Sequence, residues 1–220
     1  MARKRKKIVS FLRPNETAAV LTAAQAAADK ARGPRRRIAA QRDYLLMLFA
    51  FTTGFRCAEI TKVRAEDLDL GDEPTATCIE GKNSKDRMVP LLPEVAAKLA
   101  AWLNGRRTGW LFPNPRGNRL SSRTVQDLFE RMGKAAGLLK RLHPHVARHS
   151  YATDLFRNGA DATEVARLLG HSSPAVTLTT YLHCDTSRLR GVVGRLSLAT
   201  PLPPSPLASP PTSPSSGQDA

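Results

Sequence analysis

The sequence predicts a mainly α-helical fold with one small antiparallel β-hairpin or sheet, which places it in the α+β class. Apolar residues recur at helical spacing in most of the chain, and the segments that they form begin and end at capping residues, prolines and glycines. One pair of short β-type runs, Thr75–Glu80 and Arg87–Leu91, flanks a polar turn at 81–86 and indicates a hairpin.

Two helices are expected before this hairpin. Asn15 can cap an alanine-rich segment that runs to about Lys30, and the Gly33-Pro34 pair breaks the chain after it. The segment Gln41–Thr53 places its aromatic and leucine side chains on one face, and Gly54 is the expected stop.

The helices after the hairpin are marked by their first and last residues. Asp161 and Glu164 form a capping-box pattern, and Ser173-Pro174 is typical of a cap followed by a first-turn proline. The expected segments are Pro93–Gly105, Ser121 or Ser122 to Ala136, His143 or Pro144 to Gly159, Asp161–Gly170, Ser173–Tyr181 and the amphipathic stretch Ser187–Leu198.

The chain is strongly basic. Its 220 residues include 34 Lys and Arg against 19 Asp and Glu, a net charge of +15, and 41% are hydrophobic, which suffices for one core. Such an excess favours a nucleic-acid partner, because basic side chains that neutralise phosphates release counterions. A basic protein of the ribosomal type is the alternative.

The two ends differ from the middle of the chain. Residues 1–37 are expected to form a basic arm and a short helix, and residues 38–200 the folded domain. Residues 201–220 hold seven of the sixteen prolines and five serines, which predicts a disordered tail. The arm contains a run of five basic residues that could grip a DNA backbone or act as a solubilising tail: Arg3, Lys4, Arg5, Lys6 and Lys7.

Several classes of protein are disfavoured. The sequence has no long apolar run and no apolar stretch after its charged N-terminus, so neither a membrane span nor a secretory signal is expected. Cys57, Cys78 and Cys184 lie too far apart for a zinc motif or a disulfide framework. The GxxxxGK[ST] phosphate loop is also missing. No metal and no cofactor are therefore expected.

Two motifs before residue 90 carry charged side chains. Glu59 lies three residues after Arg56, so it can orient the guanidinium if this segment is helical; an ordinary surface ion pair is the alternative. Lys82 and Lys85 lie in the polar turn of the hairpin, where a lysine can reach a DNA groove or simply remain solvated.

Two further motifs follow residue 140. His145 and Arg148 are one helical turn apart, which suits an anionic phosphate; His145 and His149 would also allow a metal, but no carboxylate or cysteine accompanies them. His171 is followed ten residues later by Tyr181. A tyrosine needs neighbouring cations to become a nucleophile and otherwise only fills space.

In this order, the motifs resemble the catalytic domain of the tyrosine recombinases, the phage integrase or Xer-like family. The resemblance covers about residues 38–190. The matching strings are TGFRCAEI at 53–60, GKNSKDRMVP at 81–90, HPHVARHSYAT at 143–153 and LLGHSSPAVTLTTYLH at 168–183.

The resemblance implies an enzyme: a site-specific DNA recombinase that cuts and rejoins strands through a 3′-phosphotyrosyl intermediate, without metal or ATP. Lys85 remains an alternative to Lys82 as the general acid that protonates the leaving 5′ oxygen. The implied roles are phosphate binding by Arg56, Arg148 and His171, attack by Tyr181, protonation of the leaving 5′ oxygen by Lys82, proton transfer by His145, and support from Glu59.

The family usually carries an N-terminal DNA-clamping domain, for which only about 37–40 residues are present before the catalytic unit. This allows the alternative of a catalytically idle or partner-dependent DNA-binding remnant. A type IB topoisomerase-like enzyme is a second alternative, because it shares the Arg, Lys, Arg, His and Tyr set, although the short length and the GHSS element favour a recombinase. The implied partners are double-stranded DNA, further protomers in a tetramer on two DNA sites, and accessory recombinases or host factors. The implied location is the bacterial cytoplasm, at the nucleoid.

Overall fold

The structure, a computed structural model, describes residues 10–79 and 86–171, all of which belong to one compact unit. Several expected features lie outside the described residues. They are the basic run Arg3–Lys7, the hairpin turn with Lys82 and Lys85, the segments Ser173–Tyr181 and Ser187–Leu198, and the tail 201–220.

The described residues form seven α-helices, a 3-10 turn at Ala65–Asp67 and a three-stranded antiparallel sheet, so the predicted mainly helical α+β class is confirmed. None of these helices combines the length and the apolar character that crossing a membrane requires. In chain order, the elements are α1 (Pro14–Lys30), α2 (Pro34–Thr53), α3 (Cys57–Ile60), β1 (Leu68–Asp69), β2 (Thr75–Cys78), β3 (Arg87–Pro90), α4 (Pro93–Leu103), α5 (Ser122–Ala135), α6 (Pro144–Arg157) and α7 (Ala162–Leu169).

The sheet contains the predicted hairpin. Strands β2 and β3 pair antiparallel, with Thr75 opposite Pro90 and Cys78 opposite Arg87. Strand β1 adds a short third strand, in the order β1-β2-β3, that the sequence did not predict. Its two residues are too few for a visible alternation of apolar and polar side chains.

Helix α2 begins at Pro34 rather than at Gln41. The expected break does separate α1 from α2, but the helix begins directly after it, since Gly33 takes the capping position with a φ of 79° and Pro34 occupies the first turn. A proline fits there because the first-turn N–H groups have no partner within the helix. The whole of Arg35–Arg37 therefore lies in the first turns of α2.

Helix α1 is part of the core. It packs against α2 and α5, and its Val20 and Ala24 belong to the same buried cluster as Leu45 and Phe49. The charge-based division at residues 37 and 38 is therefore not a boundary of the apolar core. Apolar burial holds residues 14–30 against the rest of the fold.

The aromatic side chains of the core fix the end of α2. The Phe49 ring meets Phe55 and Phe112 edge-on, with centroids 5.0 and 5.7 Å apart. Between α2 and α3, Gly54 adopts a φ of 65°. A side chain at that position would overlap the ring of Tyr151. This tight turn carries the chain from α2 into α3, where the first candidate site residues lie.

Candidate active site

Arg56 and Glu59 are joined through the first turn of α3. Arg56 occupies the capping position before Cys57, and its backbone N–H donates to Glu59 Oε2 at 2.6 Å. Its Nη1 donates to Glu59 Oε1 at 2.7 Å. This is the contact that their spacing predicts. The Arg56 side chain remains 38% exposed, so the oriented guanidinium still faces solvent.

Arg148 lies on α6 and is 5% exposed. Its Nη1 donates to the Gly54 carbonyl at 2.8 Å, and its Nη2 donates to the Leu169 carbonyl at 2.6 Å. The same Nη1 is 4.0 Å from Glu59 Oε2. Arg148 therefore connects the end of α2, the end of α7 and the carboxylate on α3.

Arg87, which the sequence analysis did not single out, is a third arginine beside Glu59. It is the first residue of β3, and its Nη2 lies 2.6 Å from Glu59 Oε2. A signal for it was present in the strand: Arg87 and Val89 point inward, whereas Met88 and Pro90 are exposed. A charged residue in phase with the buried face of a strand indicates a buried ion pair.

Three arginines bind the C-terminal end of α7, one on each of three successive carbonyls. The pairs are Arg87 Nε with the Leu168 oxygen at 3.0 Å, Arg148 Nη2 with the Leu169 oxygen at 2.6 Å, and Arg56 Nη2 with the Gly170 oxygen at 3.3 Å. The last carbonyls of a helix lack partners within it, and its C-terminus favours cations. The arginines therefore hold the C-terminal end of α7 in position against β3, α6 and the start of α3.

His171 follows directly after these carbonyls. Burial lowers its pKa to about 4, and the positive charges of Arg148, Arg56 and Arg87 act in the same direction. The imidazole is therefore neutral near pH 7. A neutral imidazole presents one N–H donor and one acceptor, so it can donate to an anionic oxygen without adding charge.

His145 and His149 lie on α6 beside Arg148. His145 is exposed one turn before Arg148, and its ring centroid is 6.1 Å from that of His143. His149 is half-buried, and burial with the charges of His145 and Arg148 lowers its pKa to about 4. Within residues 10–79 and 86–171, no three His, Cys, Asp or Glu side chains gather as metal ligands would.

Tyr151 lies next to this cluster, against Gly54. Burial raises the pKa of Tyr151 to about 12, although the charge of Arg87 acts in the opposite direction. Its phenol therefore holds its proton at neutral pH and is poorly suited to act as a nucleophile.

The structure thus brings together four of the predicted site residues: Arg56, Glu59, Arg148 and His171. Lys82, Lys85 and Tyr181 lie outside the described residues. Three guanidinium groups around one carboxylate leave an excess of positive charge beside a neutral imidazole. Arginine forks bind planar or tetrahedral oxyanions through paired N–H groups. The arrangement suits a phosphate group.

Comparison with known proteins is consistent with this chemistry. Residues 10–188 match the profile of the phage integrase family, which is most of the chain. The chain belongs to the phage integrase family. The family that the four motifs resemble is therefore confirmed.

Individual members of the family show how much of the chain is shared. Tyrosine recombinase XerC of Haemophilus ducreyi is 39% identical over 153 residues, which are 67% of this chain and 49% of that protein. The chain thus spans about half the length of this relative. The crystal structure of XerA recombinase superposes with a TM-score of 0.71 at 28% identity, over 86% of this chain and 65% of the other.

A second crystal structure is that of the XerH site-specific recombinase bound to palindromic difH substrate, in a post-cleavage complex. It has a TM-score of 0.71 at 27% identity, over 86% of this chain and 54% of XerH. These superpositions confirm the predicted fold of a tyrosine recombinase catalytic domain.

Proposed function

We propose that this chain is the strand-cleaving and rejoining part of a site-specific DNA recombinase, with the scissile phosphate held by Arg56, Arg148 and His171. The observation that carries the proposal is a shared cluster: Arg56, at the N-cap of α3, and Arg148, on α6, both approach the Glu59 carboxylate, and the charges of both arginines act on His171 after α7. Membership of the phage integrase family supports the same activity.

The cluster would act on the charge of the phosphodiester. Negative charge on the non-bridging oxygens rises as phosphorus becomes five-coordinate, and fixed cations stabilise that state most. Arg148 is buried and held by two carbonyls, so it needs little rearrangement when DNA binds. Arg56 is half-exposed and would meet the phosphate from the solvent side.

The remaining steps move one proton at each end of the reaction. The phenol oxygen of Tyr181 would attack phosphorus, forming a 3′-phosphotyrosyl bond while the bond from phosphorus to the 5′ oxygen breaks. His145 would take up the phenol proton, and Lys82, or Lys85 from the same turn, would supply a proton to the 5′ oxygen. Rejoining reverses these steps. One ester bond replaces another, so neither ATP nor a metal is needed.

Double-stranded DNA is the proposed substrate. The net charge of +15 favours it, and the XerH relative was solved with a DNA substrate. The run Arg3–Lys7 would add phosphate contacts. We further propose that protomers assemble as a tetramer on two DNA sites, with accessory recombinases or host factors where these take part, at the nucleoid in the bacterial cytoplasm.

The test is covalent trapping. The full chain and Tyr181→Phe would be incubated, with EDTA, with nicked DNA fragments tiled across the chain's own genomic neighbourhood. We expect a protein–DNA band that survives SDS with the wild type and disappears with Tyr181→Phe. DNA binding without any band would indicate an idle or partner-dependent remnant. Site-independent relaxation of supercoiled DNA would indicate a topoisomerase-like enzyme.

A further inference from the structure

Arg87 is a buried cation at the start of β3. It is 7% exposed, whereas Met88, the next residue, is 69% exposed. An unpaired charge in such a position is strongly unfavourable, so a buried arginine is retained only where its partners satisfy it. The identity of those partners indicates what the residue does.

The Arg87 guanidinium contacts the phosphate cluster, by which we mean Arg56, Glu59, Arg148 and His171, and the elements that hold it. Its Nη2 and Nη1 lie 2.6 and 3.4 Å from the two carboxylate oxygens of Glu59. Its Nε donates to the Leu168 carbonyl at 3.0 Å, and its carbon Cζ lies 5.2 Å from the ring centroid of Phe55. The side chain therefore connects the sheet to α3 and to the end of α7.

Glu59 is shared unequally among the arginines. Arg87 and Arg56 contact it at 2.6 and 2.7 Å, whereas Arg148 stays 4.0 Å away. Because charges add, the positive charge of Arg87 offsets part of the negative charge that Glu59 presents to Arg148. Arg87 thus holds Glu59 close to itself, and the hydrogen bonds of Arg148 go to the Gly54 and Leu169 carbonyls while the acid stays 4.0 Å away.

We propose that Arg87 is a positioning residue of the phosphate cluster. By binding Glu59 it keeps that negative charge from neutralising Arg148. By binding the Leu168 carbonyl it holds the end of α7, and therefore His171, against the other two arginines. This inference rests on the proposed function, because it assigns a role at the same site.

The experiment measures single-turnover cleavage by the full chain. The variants are Arg87→Gln and Arg87→Lys, and the matched controls are Arg42→Gln and Arg42→Lys. Arg42 is an equally buried arginine whose partners are Asp43 at 2.6 Å and the Pro113 carbonyl at 3.0 Å, none of them in the cluster. Each protein is tested on ordinary DNA and on DNA with an uncharged methylphosphonate at the scissile position.

We expect Arg87→Gln to cleave ordinary DNA about tenfold to a hundredfold more slowly than the wild type while still binding it. The cleavage rate of Arg87→Lys should lie between those of Arg87→Gln and the wild type. A single ammonium group cannot contact the two carboxylate oxygens of Glu59 and the Leu168 carbonyl at the same time. The deficit should shrink on methylphosphonate DNA, where less negative charge must be stabilised. The Arg42 variants should show no such dependence on the charge of the linkage.

A wild-type cleavage rate in Arg87→Gln would overturn the inference, and so would an equal deficit on both DNAs, which would mark Arg87 as a purely structural residue. If Arg87→Gln does not fold, folded Arg87→Lys decides: a wild-type rate there overturns the inference. The proposed function fails separately, when the wild type itself forms no Tyr181-dependent covalent complex.

Discussion

The backbone N–H of Leu12 donates to Ser150 Oγ at 2.8 Å, and Ser150 Oγ donates in turn to the Val146 carbonyl at 2.8 Å. Leu12 is fully buried, and Ser150 lies on α6 two residues after Arg148. The segment that precedes α1 is therefore fixed to the same helix that carries Arg148 into the candidate site.

Replacing Ser150 with alanine should destabilise the fold. The Leu12 N–H would lose its acceptor while staying buried, and an unsatisfied buried donor costs about 1–3 kcal/mol in the free energy of unfolding. Urea unfolding measures this loss. The control is Ser122→Ala at an exposed position in the first turn of α5, where we expect a change within about 0.5 kcal/mol. Equal effects would contradict a role for the bond.

Gly54→Ala should reduce both stability and cleavage. Its φ of 65° is unfavourable for a side chain by about 1–2 kcal/mol, and the added methyl group would also overlap the Tyr151 ring. Because the Gly54 carbonyl binds Arg148, any shift of the turn reaches the phosphate cluster.

Gly137→Ala is the matched control for this substitution. Gly137 has a φ of 70°, and an added Cβ there would meet no atom within 4 Å. We expect it to show only the backbone penalty, with normal cleavage. Urea unfolding and covalent trapping of the two variants measure the effect of the Tyr151 clash apart from the backbone penalty. Identical behaviour of the two variants would contradict an effect of the clash.

Stability should fall on acidification between about pH 6.5 and pH 4. The pKa of His171 and that of His149 are both lowered to about 4, whereas an unfolded histidine titrates near 6.5. Below pH 6.5 the unfolded chain therefore binds protons that the folded chain does not, which favours unfolding; above pH 6.5 this contribution is constant. Burial is the main cause for both histidines, and nearby positive charges add to it: Arg148, Arg56 and Arg87 around His171, and His145, Arg148, His143 and His171 around His149.

Urea midpoints measured at several pH values, together with NMR titration of the imidazole resonances, test this prediction. The double variant His149→Gln/His171→Gln serves as the control, and its stability should depend less on pH within the same window. Titration of His171 near pH 6.5 in the folded protein would contradict the expected burial beside three arginines.

Removing residues 1–7 should weaken DNA binding and flatten its salt dependence. The deletion takes away five basic residues, and each DNA phosphate that the protein no longer neutralises reduces the slope of log K against log salt by about 0.9. Removing residues 201–220, which contain one charged residue, provides the control. An unchanged slope after the first deletion would leave the basic run without a role in DNA binding.

Residue spacing alone predicts the local parts of the site, whereas only the family resemblance predicted that Arg148 and His171 join Arg56. Arg56 and Glu59 are three residues apart, so helical geometry alone brings them together. The contact between Arg87 and Glu59 spans 28 positions and depends on how the sheet packs against α3, which no local pattern specifies. The burial pattern of β3 in the structure, in which Arg87 and Val89 are buried, places Arg87 on the inner face.

The fold follows the same division. The starts and ends of α5, α6 and α7 could be predicted because the residue types at these positions favour helix ends. The start of α2 could not, because Pro34 suits a break and a first turn equally well and packing against α1 decides between them. The burial of α1 was not predicted either, because the many basic residues within 1–37 indicated an arm outside the folded domain.

The three carbonyls at the end of α7 come later in the chain than all three arginines that bind them. During synthesis, Arg56, Arg87 and Arg148 are made before Leu168, Leu169 and Gly170. A nascent chain therefore has no ordered phosphate cluster until α7 is complete. Until then the arginines lack the three carbonyls that hold them beside one another.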